Sequence, residues 1–112
     1  MIQAEFQQDK DGLISGFVLS GHANMAPHGQ DLLCAGITFM AIGVINTMTD
    51  ATDFGSQVDA KTREGYASLR IKGDLTPEQR TVRQTVLNGF KKNLEMLKQQ
   101  YPDQIDVKTR RL

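Results

Sequence analysis

From Leu32 to Met48 the chain runs for seventeen residues without one charged side chain. Within that run Leu33, Ile37, Met40, Ala41, Val44, Ile45 and Met48 recur at three- and four-residue steps, the period of a helix. Leu32, Gly36, Phe39 and Gly43 fall between them, so little of the helix surface is polar. A helix apolar nearly all round belongs in a core or against another subunit. It is expected to start near Asp31 and to run out at Thr49-Asp50-Ala51-Thr52-Asp53. Gly36 and Gly43 cost stability inside a helix, which points to close backbone approach by another element. No stretch of the chain reads as both long and clean enough to span a bilayer.

The flanking segments alternate with period two. Ile2, Ala4 and Phe6 interleave with Gln3, Glu5 and Gln7, a strand with one wet face. Asp9-Lys10-Asp11-Gly12 is a turn, and Leu13 to Ser20 returns as a second strand with apolar residues on both parities, so both of its faces should be covered. Beyond the apolar helix, Val58 and Ala60 alternate with polar neighbours, Arg63-Glu64-Gly65 is a tight turn, and Ala67, Leu69 and Ile71 alternate in turn. Thr76-Pro77-Glu78-Gln79 is a dense helix start, with Thr76 at the N-cap, Pro77 at the first helical position and Gln79 closing a capping box. Val82, Val86, Phe90, Leu94 and Leu97 then form one apolar stripe. Pro102 ends that helix, and Ile105 and Val107 begin a last strand. The order ββαββαβ describes an α+β fold: a single two-layer domain over 1–112, with a mostly antiparallel sheet packed by two helices.

Composition narrows the function classes. Thirteen basic and thirteen acidic side chains cancel over 112 residues. That balance argues against broad electrostatic capture of nucleic acid or of an anionic membrane, and the short basic tail Lys108 to Leu112 does not change it. The N-terminus lacks the basic-then-apolar order of a signal segment. One cysteine excludes an internal disulfide and fits a reducing cytoplasm.

That cysteine, Cys34, sits near the expected start of the apolar helix. His22 follows the second strand twelve positions earlier, across a loop rich in small residues. If Asp31 caps the helix, its carboxylate accepts a backbone N–H, and the thiol lies where free N–H groups and the positive helix end favour an anion. A thiol so placed, with an imidazole able to fold back onto it, is the minimal kit for a cysteine nucleophile. The alternatives are a plain core cysteine and a metal site from His22, His28, Cys34 and Asp31, which lacks compact zinc-ligand spacing. Asp31 has two competing roles, capping the helix or orienting His22. Gly21 and Gly29 bracket the loop as candidate hinges or as ordinary turn residues.

Gly21-His22-Ala23, the five-residue loop Asn24 to His28, then Gly29-Gln30-Asp31-Leu32-Leu33-Cys34-Ala35-Gly36-Ile37-Thr38 resembles the signature of the bacterial ribosomal-processing cysteine protease (Prp) family. Chain length, element order and the Thr76-Pro77 helix start agree as well. One departure is Thr38, where the family usually carries Ser. The resemblance implies a cysteine endopeptidase that removes an N-terminal extension from a large-subunit ribosomal protein. It implies His22 and Cys34 as catalytic residues and Asp31 and Thr38 as supporting ones. It also implies a homodimer, and no cofactor or metal. The loop from Ala23 to Gln30 would close over an apolar or aromatic peptide segment, with Met25, Phe39 and Met40 as lining candidates. The rival reading is a non-enzymatic ribosome- or RNA-associated α+β binding module, drawing on Lys/Arg of the second helix and tail. With aromatic residues at 6% and no tryptophan, stacking platforms for it are sparse.

Overall fold

The computed structural model describes residues 1–21 and 29–112, with side chains described outside 22–31. In chain order the elements are β1 (Ile2–Gln8), β2 (Ile14–Ser20), α1 (Gly29–Asp50), a single 3-10 turn at Gly55–Gln57, β3 (Val58–Arg63), β4 (Tyr66–Ile71), α2 (Pro77–Gln100) and β5 (Ile105–Arg111). They form one five-stranded mixed sheet in the order β3-β4-β2-β1-β5. Three strand pairs are antiparallel, and β5 returns through α2 to lie parallel to β1, with Ile2 opposite Ile105. The expected order ββαββαβ is the observed one.

Register explains the layering. Ala4 opposes Leu19, and Leu19 opposes Ala67, so these side chains share a face with Phe6, Phe17 and Leu69. All are buried, and both helices pack there. At the centre Phe90 of α2 meets Phe17 edge-on at 5.0 Å and Phe6 at 5.7 Å. The opposite face carries Gln3, Glu5, Gln7, Ser68 and Arg70, and no helix covers it. The expectation that β2 is covered on both sides fails here: Val18 is half-buried among its strand neighbours and nothing more.

The two helices depart from expectation differently. The α2 start matches it: Thr76 Oγ1 accepts from the Gln79 backbone N–H at 3.2 Å, and Gln79 Oε1 accepts from the Thr76 N–H at 2.9 Å. Of the expected stripe, Phe90 and Leu94 are buried, Val86 and Leu97 pack partly buried on the core, and only Val82 is exposed. Leu87 and Arg83 complete the buried face, the Arg83 guanidinium donating to the Asp9 carboxylate at 2.8 Å beside the β1–β2 turn.

Helix α1 begins at Gly29, two residues before the expected start. It is, by length and composition, apolar enough from Leu32 to Asp50 to cross a bilayer, contrary to the sequence-based expectation. In this fold Leu33, Ile37, Ala41 and Met48 seal it against the sheet and α2, while Leu32 and Phe39 stand 75% and 74% exposed. A Cβ on Gly36 or Gly43 would meet nothing within 4 Å. The close approach inferred for those glycines is therefore absent among the described residues.

Candidate active site

The hairpin β1–β2 and helix α1 converge at Gly21. This residue has φ of 95°, a conformation that glycine adopts freely and L side chains resist. Its N–H donates to the Gly65 carbonyl at 2.9 Å. A Cβ here would collide with the Met1 carbonyl oxygen. Gly21 is thus a fixed exit from β2, tied to the β3–β4 turn on one side and to the N-terminal strand on the other. That anchoring sets the direction in which the chain leaves toward His22. It favours the turn reading of Gly21 over a hinge.

Cys34 is the chain's only cysteine and a free one. It is half-buried, packing on the core while lining a cleft of about 440 Å³. With α1 starting at Gly29, Cys34 is the sixth helical residue, so it lies in the second turn and Asp31 falls inside the first turn instead of capping it. This corrects the expected placement. The unpaired N–H groups of a helix belong to its first turn, and the dipole's pull fades beyond it. Thr38, one turn on, donates its hydroxyl to the Cys34 carbonyl oxygen at 2.8 Å. The bond ties Thr38 to the turn that carries the thiol and keeps both residues on the cleft wall.

The cleft has an apolar floor and a polar rim. Ile2, Leu19, Ile37 and Ala67 form the floor. Thr38 and Phe39 of α1 stand on one side, and Arg63, Glu64 and Tyr66 of the β3–β4 turn stand on the other. The Arg63 guanidinium lies 4.0 Å over the centre of the Tyr66 ring. Such a cleft, open to solvent and mostly apolar below, suits an extended peptide whose side chains fill the floor while its backbone meets the rim. Nothing in the sequence near Cys34 points to this turn. It arrives because β4 pairs with β2, and that pairing of segments far apart in sequence has no local signature.

The other expected site residues divide clearly. Phe39 lines the cleft, whereas Met40 faces a second groove of about 760 Å³ between the helices, beside Leu32, Met96 and Tyr101. His22, Met25 and His28 lie outside the described residues, together with the remainder of the loop to 28. The side chain of Asp31 lies outside them too, and Gly29 is described only as the first residue of α1. Among the described residues no cluster of His, Cys, Asp and Glu could hold a metal ion.

Residues 1–106 match the family model described as "Cysteine protease Prp". A Bacillus subtilis protein named ribosomal processing cysteine protease Prp is 36% identical over 109 residues, which are 97% of each chain. The protein of that name from Staphylococcus aureus is 22% identical over 105 residues, covering 94% of this chain and 95% of the relative. Among solved structures, an S. aureus Prp carrying a covalently linked product peptide has a TM-score of 0.80 at 20% identity, over 98% of this chain and all of that one. A Streptococcus mutans protein has a TM-score of 0.79 at 21% identity, over 100% and 96%. These structures share the fold.

Proposed function

Because the chain belongs to the cysteine protease Prp family, and is therefore a cysteine peptidase, we propose that it removes the N-terminal extension of a large-subunit ribosomal protein. The observation that carries this reading is the position of Cys34: a free thiol on the wall of a peptide-sized cleft that Gly21, the residue before His22 in the chain, also lines. The name borne by the Bacillus subtilis relative, ribosomal processing cysteine protease, supports the substrate class.

In the proposed mechanism the Cys34 thiolate attacks the scissile carbonyl of a peptide lying in the cleft and forms an acyl-enzyme. His22 gives its proton to the leaving amine and then activates the water that releases the acyl-enzyme. Thr38 holds the turn that carries the thiol, and Asp31 in the first turn of α1 supports His22. The loop from Ala23 to Gln30 closes over the bound peptide and excludes water. Residues 1–112 act as one protease domain in the cytoplasm, without metal or cofactor. A second copy covers the exposed stripe of Leu32, Gly36, Phe39 and Gly43 on α1 to make a homodimer, an apolar surface too continuous for a solvated helix.

The test is mass analysis of the ribosomal protein's N-terminus after incubation with each variant. Cys34→Ala and His22→Ala should each abolish removal of the extension while leaving the circular-dichroism spectrum unchanged. Undiminished processing by Cys34→Ala would sink the mechanism. Efficient cleavage of unrelated proteins, with the ribosomal one ignored, would sink the substrate assignment alone.

A further inference from the structure

The formal charge of zero conceals a segregation that the sheet register exposes. Three cross-strand rows lie on the uncovered face. The row nearest the cleft is Arg63, Tyr66, Ser20, Gln3 and Asp106. The next is Lys61, Ser68, Val18, Glu5 and Lys108, and the last is Asp59, Arg70, Gly16, Gln7 and Arg110. Lys72 joins them, with its Nζ 4.0 Å from the Asp59 carboxylate. Six basic residues thus face three acids. Since the chain is neutral overall, this face has an excess of three positive charges and the remainder carries the matching negative excess.

These cations differ in how firmly they are held. Arg70 is bound to Asp59 at 3.1 Å. Lys108 and Arg110 reach their carboxylates only at 3.8 and 3.9 Å, with their side chains about 70% exposed. Pairs this long in open solvent contribute little and exchange readily. Lys61 and Arg63 have no carboxylate within ion-pair distance among the described residues. With Lys72, whose pair to Asp59 is as long at 4.0 Å and as exposed, five cations are therefore available across the face. The Arg63 guanidinium also lies over the Tyr66 ring, 4.0 Å from its centre.

We propose that this open face is a docking surface for single-stranded RNA. Lys61, Lys108 and Arg110 would take phosphates, and a base would stack on the Arg63–Tyr66 pair, as sheet-based readers stack bases on aromatic rings and guanidinium planes. A membrane fits poorly, because Val18 is the sole aliphatic side chain in the three rows and none is placed to insert. The surface lies apart from the basic residues of α2, and of the basic tail it takes Lys108 and Arg110, which β5 sets on this face. Since Arg63 and Tyr66 also form the rim of the cleft, bound RNA would end beside the peptide site.

The test is fluorescence anisotropy of a short fluorescein-labelled single-stranded RNA of mixed sequence with the full chain. Affinity should fall roughly 20- to 50-fold between about 50 and 200 mM salt, the slope of three to four phosphate contacts at ~0.7 each. Lys61→Glu with Lys108→Glu should weaken binding by about tenfold or more. Lys91→Glu with Lys92→Glu, the same charge change on the helix layer, should alter it by less than about twofold. The neutral pair Lys61→Gln with Lys108→Gln should lower the salt slope by about 1.4 without disturbing the fold. Equal weakening by the sheet and helix double variants would overturn the proposal. So would the absence of binding at low salt, or capture by phosphatidylglycerol vesicles in preference to RNA.

Discussion

Helices α1 and α2 have nearly the same length, 22 and 24 residues, and opposite designs. α2 follows the local rules closely at its start, with a reciprocal capping box and proline at its first position. It buries Leu87, Phe90 and Leu94 with Arg83 among them, although it too carries an interior glycine, Gly89, with nothing near it among the described residues. It is also fastened at its start, where Gln79 donates to Asp53 at 3.1 Å, and lower down, where Gln84 accepts from the Ile14 N–H at 2.6 Å. α1 departs further, with two interior glycines, Gly36 and Gly43, and with Leu32 and Phe39 turned outward and mostly exposed. The difference teaches where selection for stability ends. α2 holds the sheet together, while α1 carries the thiol and presents surface, and local inconsistency of that kind is expected at functional elements.

The sharpest way to break this contrast is truncation of matched residues. Leu87 of α2 is fully buried, so Leu87→Ala should remove about 2–5 kcal/mol through lost transfer energy and the cavity left behind. Leu32→Ala on α1 removes a side chain that is already three-quarters exposed, and should shift the stability of the single chain by less than about 0.5 kcal/mol. Urea melts at low protein concentration compare the two directly. A large loss at Leu32 under those conditions would mean that α1 is covered within one chain after all.

The same contrast explains what could be read from the sequence. The α2 start was legible because a capping box is complete within four residues, and the strands because parity is local. Burial of Arg83 was not, since only the folded hairpin brings Asp9 beneath it. The β3–β4 wall of the cleft was invisible for a related reason: Tyr66 meets the site through strand pairing with Ser20, forty-six positions away. Cys34 was found as a candidate from its neighbours, but the helix start that gave it a physical rationale lies one turn's fraction earlier than Asp31 suggested. The apolar run raised two destinations for α1, and the single chain satisfies only half of it.

Next in size is the electrostatic anchor of α2. Burial raises the Asp9 carboxyl, but the Leu13 and Asp11 N–H groups and then Arg83 outweigh it, so the group titrates below the ordinary carboxylate range. A lowered folded value contributes stability above the unfolded pKa near 4, and that contribution is lost as pH falls through the folded value. Arg83→Met keeps the bulk and removes the charge, leaving Asp9 partly buried with its backbone donors and only the longer 3.5 Å contact to Arg80. The expected cost is about 2 kcal/mol at pH 6, less than for a fully buried pair because Asp9 retains some solvent. The gap between wild type and variant should narrow below pH 4 as Asp9 protonates. A gap that stays constant from pH 6 to pH 2.5 would assign the role of Arg83 to packing alone.

The smallest effect is the most discriminating for α1. Gly36→Ala should stabilise the isolated chain by about 0.5–1 kcal/mol, because alanine is the better helix former and its methyl meets only open space. The identical change should weaken the proposed dimer, where a second copy would rest on the stripe containing Gly36. Measuring thermal stability at low concentration and self-association by analytical ultracentrifugation separates the two signs in one variant. Gain in both would mean the glycine serves neither packing nor association. Loss in the dilute chain would restore the close backbone contact that the fold of a single copy lacks.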